Sequence, residues 1–294
     1  MTFSVMGIDP TNGDVGLVVS TWALAVGSRV PNVEAGTGVV ASQANTNATL
    51  GPMVMDLLRS GQSPRDSVET ALASDSARDQ RQVVAMNVRG EGFAWTGQTT
   101  KPWSGHIVAE NVVVFGNLIV GPAVLDDALE AFQQSGGELR DRLMAAYRAG
   151  QAAGGDAQGV QSAVLKIARL GACPFIDLRV DDHHCPIDEL HRLADLAERG
   201  IAPRLPQLTL ETTDVVTAGN STTVRVTHLG TPVGNIEIGA NRRYLGMTEG
   251  DGTLSIALHE PADYYLTAVQ PPTSNLAAAS YQYAPAVAWV RVNL

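Results

Sequence analysis

The sequence predicts an α+β fold in which sheets stack between helix layers, followed by a small all-β sandwich domain. Three observations predict it. Strand-like and helix-like segments come in groups rather than in strict alternation, which suits stacked sheets better than a doubly wound βαβ fold. From Leu208 onward no helical periodicity remains, and short strand-like segments recur with turn signals between them. The chain has 294 residues, 45% of them apolar, which at roughly 100–200 residues per domain fits two domains with a core each.

Taken in order, residues 3–9 (FSVMGID) and 14–21 (DVGLVVST) are short, apolar and β-branched. The turn Pro10-Thr11-Asn12-Gly13 between them makes a β-hairpin. A Gly-rich crossing leads to a third strand over Thr37–Gln43. Pro52–Ser60 and Pro64–Ser74 have helical spacing, each opening with a proline that the first helical turn tolerates, and Gly61 separates them. Arg81–Val88 and Gly92–Thr96 form another hairpin, and Ile107–Val120 supplies more strand-like sequence. Helices are predicted over Pro122–Gln134 and Glu138–Ala153, strands over Ser162–Ala168 and Phe175–Val180, and an amphipathic helix over Ile187–Glu198. Ala202–Pro206 reads as a linker, which divides the chain into domains 1–201 and 207–294. In the second domain the strand candidates are Leu208–Thr212, Thr222–Thr227, Asn235–Ala240, Leu254–Leu258, Tyr264–Val269 and Ala286–Val292.

Composition excludes several function classes. The net charge is −10 and only two lysines occur, Lys101 and Lys166, so the cationic footprint that nucleic-acid binding needs is missing. No run of about 18 apolar residues suggests a membrane span. The start, MTFSVMGIDP, lacks a basic region followed by an apolar stretch, so a cytoplasmic location is expected. Cys173 and Cys185 are too few for a disulfide framework or a cysteine zinc site. Asp181-Asp182-His183-His184-Cys185 tempts a metal assignment, but neighbours on a strand point to opposite faces, so none is expected there. His106 and His191 stand alone, and no Gly-x-Ser-x-Gly elbow, phosphate loop or Rossmann glycine order appears. No cofactor is expected. Trp22, Trp95 and Trp103 read as core or cleft lining.

Several stretches, in order, carry a resemblance. They are MTFSVMGIDP, Ala25–Pro31 (AVGSRVP), Gln43–Gly51, Arg81–Val83, Gly116–Gly121 (GNLIVG), Ala152–Ser162 (AAGGDAQGVQS), Asp177–His183 (DLRVDDH) and Ile187–Leu193. Together they make the first ~200 residues resemble the DUF1028 family, bacterial and archaeal proteins of uncharacterised activity. The resemblance implies a four-layer αββα sandwich of the N-terminal-nucleophile hydrolase type. The C-terminal segment lies outside it. Its phrases Gly230-Thr231-Pro232-Val233 and Gly246–Leu254 (GMTEGDGTL) look like an Ig-like or carboxypeptidase-regulatory-like β-sandwich. That domain would be a structural appendage, or would mediate assembly or bind a carbohydrate or protein.

In such hydrolases the first mature residue supplies both the nucleophile and, through its α-amine, the base. Thr2 begins the first strand, so removal of Met1 would free both groups. The implied activity is hydrolysis of a small amide or peptide-like substrate by Thr2, with Asn117 or Gln43 stabilising the oxyanion. Asp9 either orients a substrate group or belongs to the turn. Ser20 and Thr21, at the end of the second strand, reach the nucleophile amine or simply close the strand. Ser28, Gln43 and Asn45 flank the cleft or cap a loop. Three glycines in Gly154–Ser162 permit a tight turn, with Asp156 and Gln161 as polar wall residues or turn formers. Partners are expected to be a small-molecule amide and further copies of the chain as a homo-oligomer, without nucleic acid or membrane. The alternative is a non-catalytic ligand-binding or assembly protein on the same scaffold.

Overall fold

A computed structural model describes residues 2–170, 172–200, 208–213, 215–241, 243–270 and 286–293. The chain divides into two units, one of residues 1–10 and 14–200, the other of residues 11–13 and 201–294. Together they make an α+β protein with an all-β C-terminal region.

The first unit opens with β1 (Thr2–Asp9) and β2 (Asp14–Thr21), an antiparallel hairpin whose turn uses Gly13 at φ 73°. Next come β3 (Pro31–Glu34) and β4 (Gly38–Ala44), then α1 (Leu50–Arg59) and α2 (Pro64–Ala73). Pro52 sits within the first turn of α1, and Gly61, at φ 92°, follows its end. In α2 Pro64 takes the first helical position, and the Ser63 hydroxyl caps the helix by accepting from the Asp66 N–H at 3.1 Å. Then follow β5 (Arg81–Asn87), β6 (Gly92–Thr96), β7 (Ser104–Ala109) and β8 (Val112–Asn117). The stretch 107–120 therefore holds the end of one strand and all of the next. Asn111 at φ 62° makes the turn between them. α3 (Ala123–Gln134), α4 (Leu139–Ala152), β9 (Ser162–Arg169), β10 (Ala172–Val180) and α5 (Pro186–Gly200) complete the unit.

Two antiparallel sheets result, one of six strands in the order β10-β9-β2-β1-β8-β7, the other β3-β4-β5-β6. Helices α3, α4 and α5 pack on the six-stranded sheet, and α1 and α2 on the four-stranded one. The first packing buries Phe3, Val5, Phe132 and Tyr147, with the Phe3 and Tyr147 rings stacked at 5.2 Å. The second buries Leu50, Val54, Leu58, Val68 and Leu72 against Val40 and Val83. Both cores use the apolar faces that the helical periodicity of these segments predicts.

The second unit is all β among the described residues. β11 (Thr209–Glu211), β13 (Ser221–His228), β14 (Thr231–Pro232) and β17 (Thr253–Ala257) form one sheet around β13. The other sheet runs β12-β19-β18-β15-β16, from β12 (Val215–Thr217), β15 (Glu237–Ala240), β16 (Arg243–Met247), β18 (Asp263–Val269) and β19 (Ala286–Asn293). Val224, Val226, Ile238, Leu266 and Val290 are buried together between these strands. Along β13 exposed and buried positions largely alternate, as a half-buried strand requires.

Candidate functional site

β1 lies at the centre of the larger sheet, between β2 and β8. Its alternate side chains split between two faces. Phe3 and Val5 enter the helix-packed core. Thr2 and Ser4 take the opposite face, where the Ser4 hydroxyl donates to Gln43 Oε1 of the smaller sheet at 2.8 Å. This face looks at the four-stranded sheet.

The strand register turns that face into a polar row at the start of β1. Thr2 pairs with Asn117, and Asn117 with Ser104 on β7. On the other side Thr21 pairs with Ser162 on β9. The Thr2 hydroxyl donates to the Thr21 hydroxyl across 3.4 Å. Directly opposed residues share a face, so Ser162, Thr21, Thr2, Asn117 and Ser104 form one line across five strands. Thr2, Thr21, Asn117 and Ser162 are buried. Ser162 Oγ accepts from the Val26 N–H at 3.0 Å and donates to the Ala23 carbonyl at 2.6 Å, which pins the loop after β2.

Behind the row, buried amides wire the two sheets together. Gln82 on β5 is the hub. Its Oε1 accepts from Gln43 Nε2 at 2.8 Å and from Asn117 Nδ2 at 3.1 Å. Its Nε2 donates to Thr96 Oγ1 at 2.9 Å and to the Gly105 and Gly116 carbonyls at 3.0 Å each. Thr96 in turn bonds His106 Nδ1 at 2.8 Å. Burial pushes the His106 imidazole pKa down. A buried amide satisfied on both ends is fixed in place, so Gln43 serves as a strut. Asn117 has a second N–H beyond the one given to Gln82.

Asp156 stands over the start of β1. It pairs as an isolated bridge with Ile119, just past the end of β8. The backbone N–H of Trp22, just past the end of β2, acts on its carboxyl and lowers the pKa. Those two strands flank β1, so the loop bearing Asp156 crosses its first residue. Oδ1 accepts from the Gln158 N–H at 2.9 Å. Oδ2 is buried and has no hydrogen-bond partner, on a residue only 4% exposed. Burial raises the carboxyl pKa, and the Gln158 and Trp22 N–H groups oppose the rise.

The other sequence-predicted residues are distributed differently. Asp9 ends β1, roughly 23 Å from Thr2 at about 3.3 Å per residue, and pairs with Asp14 at the turn. The row is thus out of its reach. Ser20 opposes Phe3 and so faces the helices, where the Tyr147 hydroxyl donates to it. Ser28 lies exposed in a 3-10 turn over Val26–Ser28 and donates to the Ala25 carbonyl at 2.7 Å. Asn45 is exposed and donates to Gln80 Oε1 at 2.7 Å. Gln161 donates its backbone N–H to the Thr21 carbonyl at 2.8 Å and its side chain to Asp182 at 2.9 Å, so it anchors the loop beside the row. The state of Met1 lies outside the described residues.

His183 and His184 are in the turn before α5 and not on a strand, with their rings 4.3 Å apart. Strand alternation is therefore not what separates them. Among the described residues no group of three or more His, Cys, Asp or Glu is placed to hold a metal ion. A cavity of about 350 Å³ is bounded by Arg148, Gln151, Val160, His184 and Cys185, and one of about 200 Å³ by Glu69, Arg78 and Trp95. Neither includes a member of the polar row. Among the described residues no helix is long and apolar enough to cross a membrane.

Sequence reasoning missed Gln82, Ser104, Thr96 and Tyr147. The signal for Gln82 was a glutamine heading a run of apolar strand residues, Val83 to Met86. A polar side chain there must find buried partners.

The family match falls on the first unit. The family of unknown function DUF1028 matches residues 2–190. The crystal structure of protein SPO2555 from Silicibacter pomeroyi, of the same family, is 32% identical with a TM-score of 0.63. That similarity covers 67% of this chain and 88% of the other. The CARDB domain of a Pyrococcus furiosus protein, in complex with di-metal ions, is similar over 32% of this chain and 95% of its own length. Its identity of 13% and TM-score of 0.22 bear no structural conclusion. No curated protein matches the chain.

Proposed function

The chain belongs to the DUF1028 family, and from that premise we propose that it is an N-terminal-nucleophile amidohydrolase acting on a small amide or peptide-like substrate. We read its two sheets and their helices as the four-layer αββα sandwich of that class. The observation that carries the proposal is Asp156, whose buried and unpartnered Oδ2 lies over the first strand, beside the row that contains Thr2.

In this reading Met1 is removed and the Thr2 α-amine takes its place under Asp156. A buried carboxylate without a donor is costly, and an amine supplies the donor it lacks. The carboxylate raises the amine pKa and burial lowers it, so the two effects oppose one another from a model value near ~8. The neutral amine accepts the Thr2 hydroxyl proton as Oγ1 attacks the amide carbonyl. The free N–H of Asn117 stabilises the oxyanion. Collapse breaks the C–N bond, and the ammonium passes its proton to the departing amine. Water, deprotonated by the same amine, then cleaves the Thr2 ester and restores the enzyme. Thr21 holds the Thr2 side chain through their hydroxyl contact.

Intact mass and a panel of small amides test this. A mass lacking Met1, with turnover that Thr2→Ala abolishes, is the expected result. Active native protein that retains Met1, or equal turnover by Thr2→Ala, rejects the mechanism. The burial of Thr2 favours the second reading, a ligand-binding or assembly protein that keeps the scaffold without using the nucleophile. Ligand binding with no turnover by the processed chain would mark that case.

A further inference from the structure

The glycine-rich stretch 154–162 and the segment 181–185 meet at the larger cavity, which has a volume of about 350 Å³. That falls within the ~300–1,000 Å³ of small-molecule sites. Helix α4 borders it through Arg148 and Gln151, and the glycine-rich stretch through Val160. The first residues of α5, Pro186, Ile187 and Asp188, border it as well. The two stretches are pinned to one another. The His183 N–H donates to the Gln161 carbonyl at 3.0 Å, and the Gln161 side chain donates to Asp182 at 2.9 Å.

The bordering groups differ in chemistry. Arg148 and Gln151 stand three apart on α4 and so lie side by side on one face. Arg148 is exposed and makes no ion pair or side-chain hydrogen bond among the described residues. Gln151 Oε1 is buried against Gly155, where a Cβ would meet it at 2.3 Å. Gln151 Nε2 is not buried and has no partner among the described residues, so the end of the carboxamide left for the cavity is its donor. Guanidinium and amide N–H groups side by side suit a carboxylate. Asp188, in the first turn of α5, brings the opposite charge. It too is exposed and makes no ion pair among the described residues. Arg148 and Asp188 therefore border one cavity without touching, which leaves both charges open to a molecule between them. Val160, Pro186 and Ile187 add an apolar surface, with Pro186 buried and the other two half-buried. The His184 ring at the same cavity can donate or accept and favours neither end.

A carboxylate, an ammonium group and a short apolar chain in one small molecule satisfy all three surfaces. We infer that this cavity binds a free α-amino acid with an aliphatic side chain. Its carboxylate lies on Arg148 and Gln151, its ammonium on Asp188, and its side chain on Val160, Pro186 and Ile187. The site is separate from the proposed hydrolase centre, since no member of the Thr2 row borders the cavity.

Calorimetry on the full-length protein at pH 7 and low salt tests this with three probes. They are L-leucine, 4-methylpentanoate, which lacks the ammonium, and 3-methylbutylamine, which lacks the carboxylate. L-leucine should bind one-to-one and at least about tenfold more tightly than either analogue. Arg148→Met, which keeps an apolar stem, and Asp188→Asn should each weaken leucine at least about fivefold. Both positions are exposed, so the two variants should melt like wild type. Gln151→Glu, which sets a negative charge where the carboxylate would lie, should weaken leucine and strengthen 3-methylbutylamine. Binding of 4-methylpentanoate as tight as that of leucine overturns the inference and leaves an anion site only. Leucine binding that neither Arg148→Met nor Asp188→Asn changes also overturns it, as does the lack of any saturable heat up to about 10 mM leucine. Thr2→Ala should bind leucine like wild type; loss of binding there would put the amino acid in the polar row instead. No arm depends on turnover, so the hydrolase reading stands or falls by its own test.

Discussion

Replacing Gln82 with leucine should remove the hub that joins the two sheets of the first unit. Leucine is one bond shorter than glutamine but of comparable volume, so most of the cost comes from lost polar partners. Gln43 Nε2 and Asn117 Nδ2 lose their acceptor, and the Gly105 and Gly116 carbonyls lose a donor. Gln82 is fully buried, so water cannot replace it without opening the sheets. An unsatisfied buried group costs ~1–3 kcal/mol. At the low end for each of these four groups the loss is about 4 kcal/mol, a large part of the ~5–15 kcal/mol that holds a domain together. Thr96→Val removes two bonds at the partly exposed margin of the network, one to Gln82 and one to His106, and should cost only about 1–2 kcal/mol. Urea denaturation followed by circular dichroism gives both values, with the first unit's transition fitted apart from that of the second. The double variant should cost less than the sum of the singles, since Gln82→Leu already breaks the Thr96 bond. A loss below about 1 kcal/mol for Gln82→Leu would refute the network as a stabilising element.

Other consequences follow from single groups. In protein that retains Met1, where no Thr2 amine can pair with it, Asp156→Asn should stabilise the protein at pH 7 by about 1 kcal/mol, and in processed protein it should abolish any turnover. The buried carboxyl has a raised folded-state pKa, so its contribution is complete below the unfolded value and is lost as pH rises. A variant with a lower melting temperature than wild type at pH 7 would contradict this. Gly150→Ala would place a Cβ 2.3 Å from Phe3 Cζ and 2.8 Å from the Val124 carbonyl. Its expected cost is ~1–3 kcal/mol from overpacking, read as a drop in melting temperature. Asp75 accepts from Arg81 at 2.9 Å and from Asn47 at 3.0 Å, which holds its carboxyl pKa down at about 2. Its stabilisation should be complete above the unfolded value of ~3.9 and fade as pH falls through the folded one. The stability gap between wild type and Asp75→Asn should therefore be open at pH 6 and nearly closed at pH 2; a gap independent of pH would exclude the ion pair as its source.

Local chemistry explains what could be read in advance. The β1–β2 hairpin was legible because Asn12-Gly13 sits between two apolar β-branched runs. α2 was legible through Pro64 at its start, and the C-terminal all-β region through its repeated short strands. β3 escaped notice because Pro31–Glu34 is half-buried and short, and its strand character comes from pairing with β4. Membership of the DUF1028 family was likewise legible, since dispersed short stretches in a fixed order identify it.

The sequence by itself determined where the chain turns, which segments bear an apolar face, and to which family it belongs, because each is written in neighbouring residues. Only the tertiary structure decided which polar side chains share a site. Strand register aligned Ser162, Thr21, Thr2, Asn117 and Ser104, residues spread over 160 positions of the chain, and directed Ser20 to the opposite face. Side chains on a strand alternate with a period of two, so a shift of one residue in pairing would have reversed every one of those assignments. Sequence spacing carries no record of that register, and it was fixed by the burial of both faces at once.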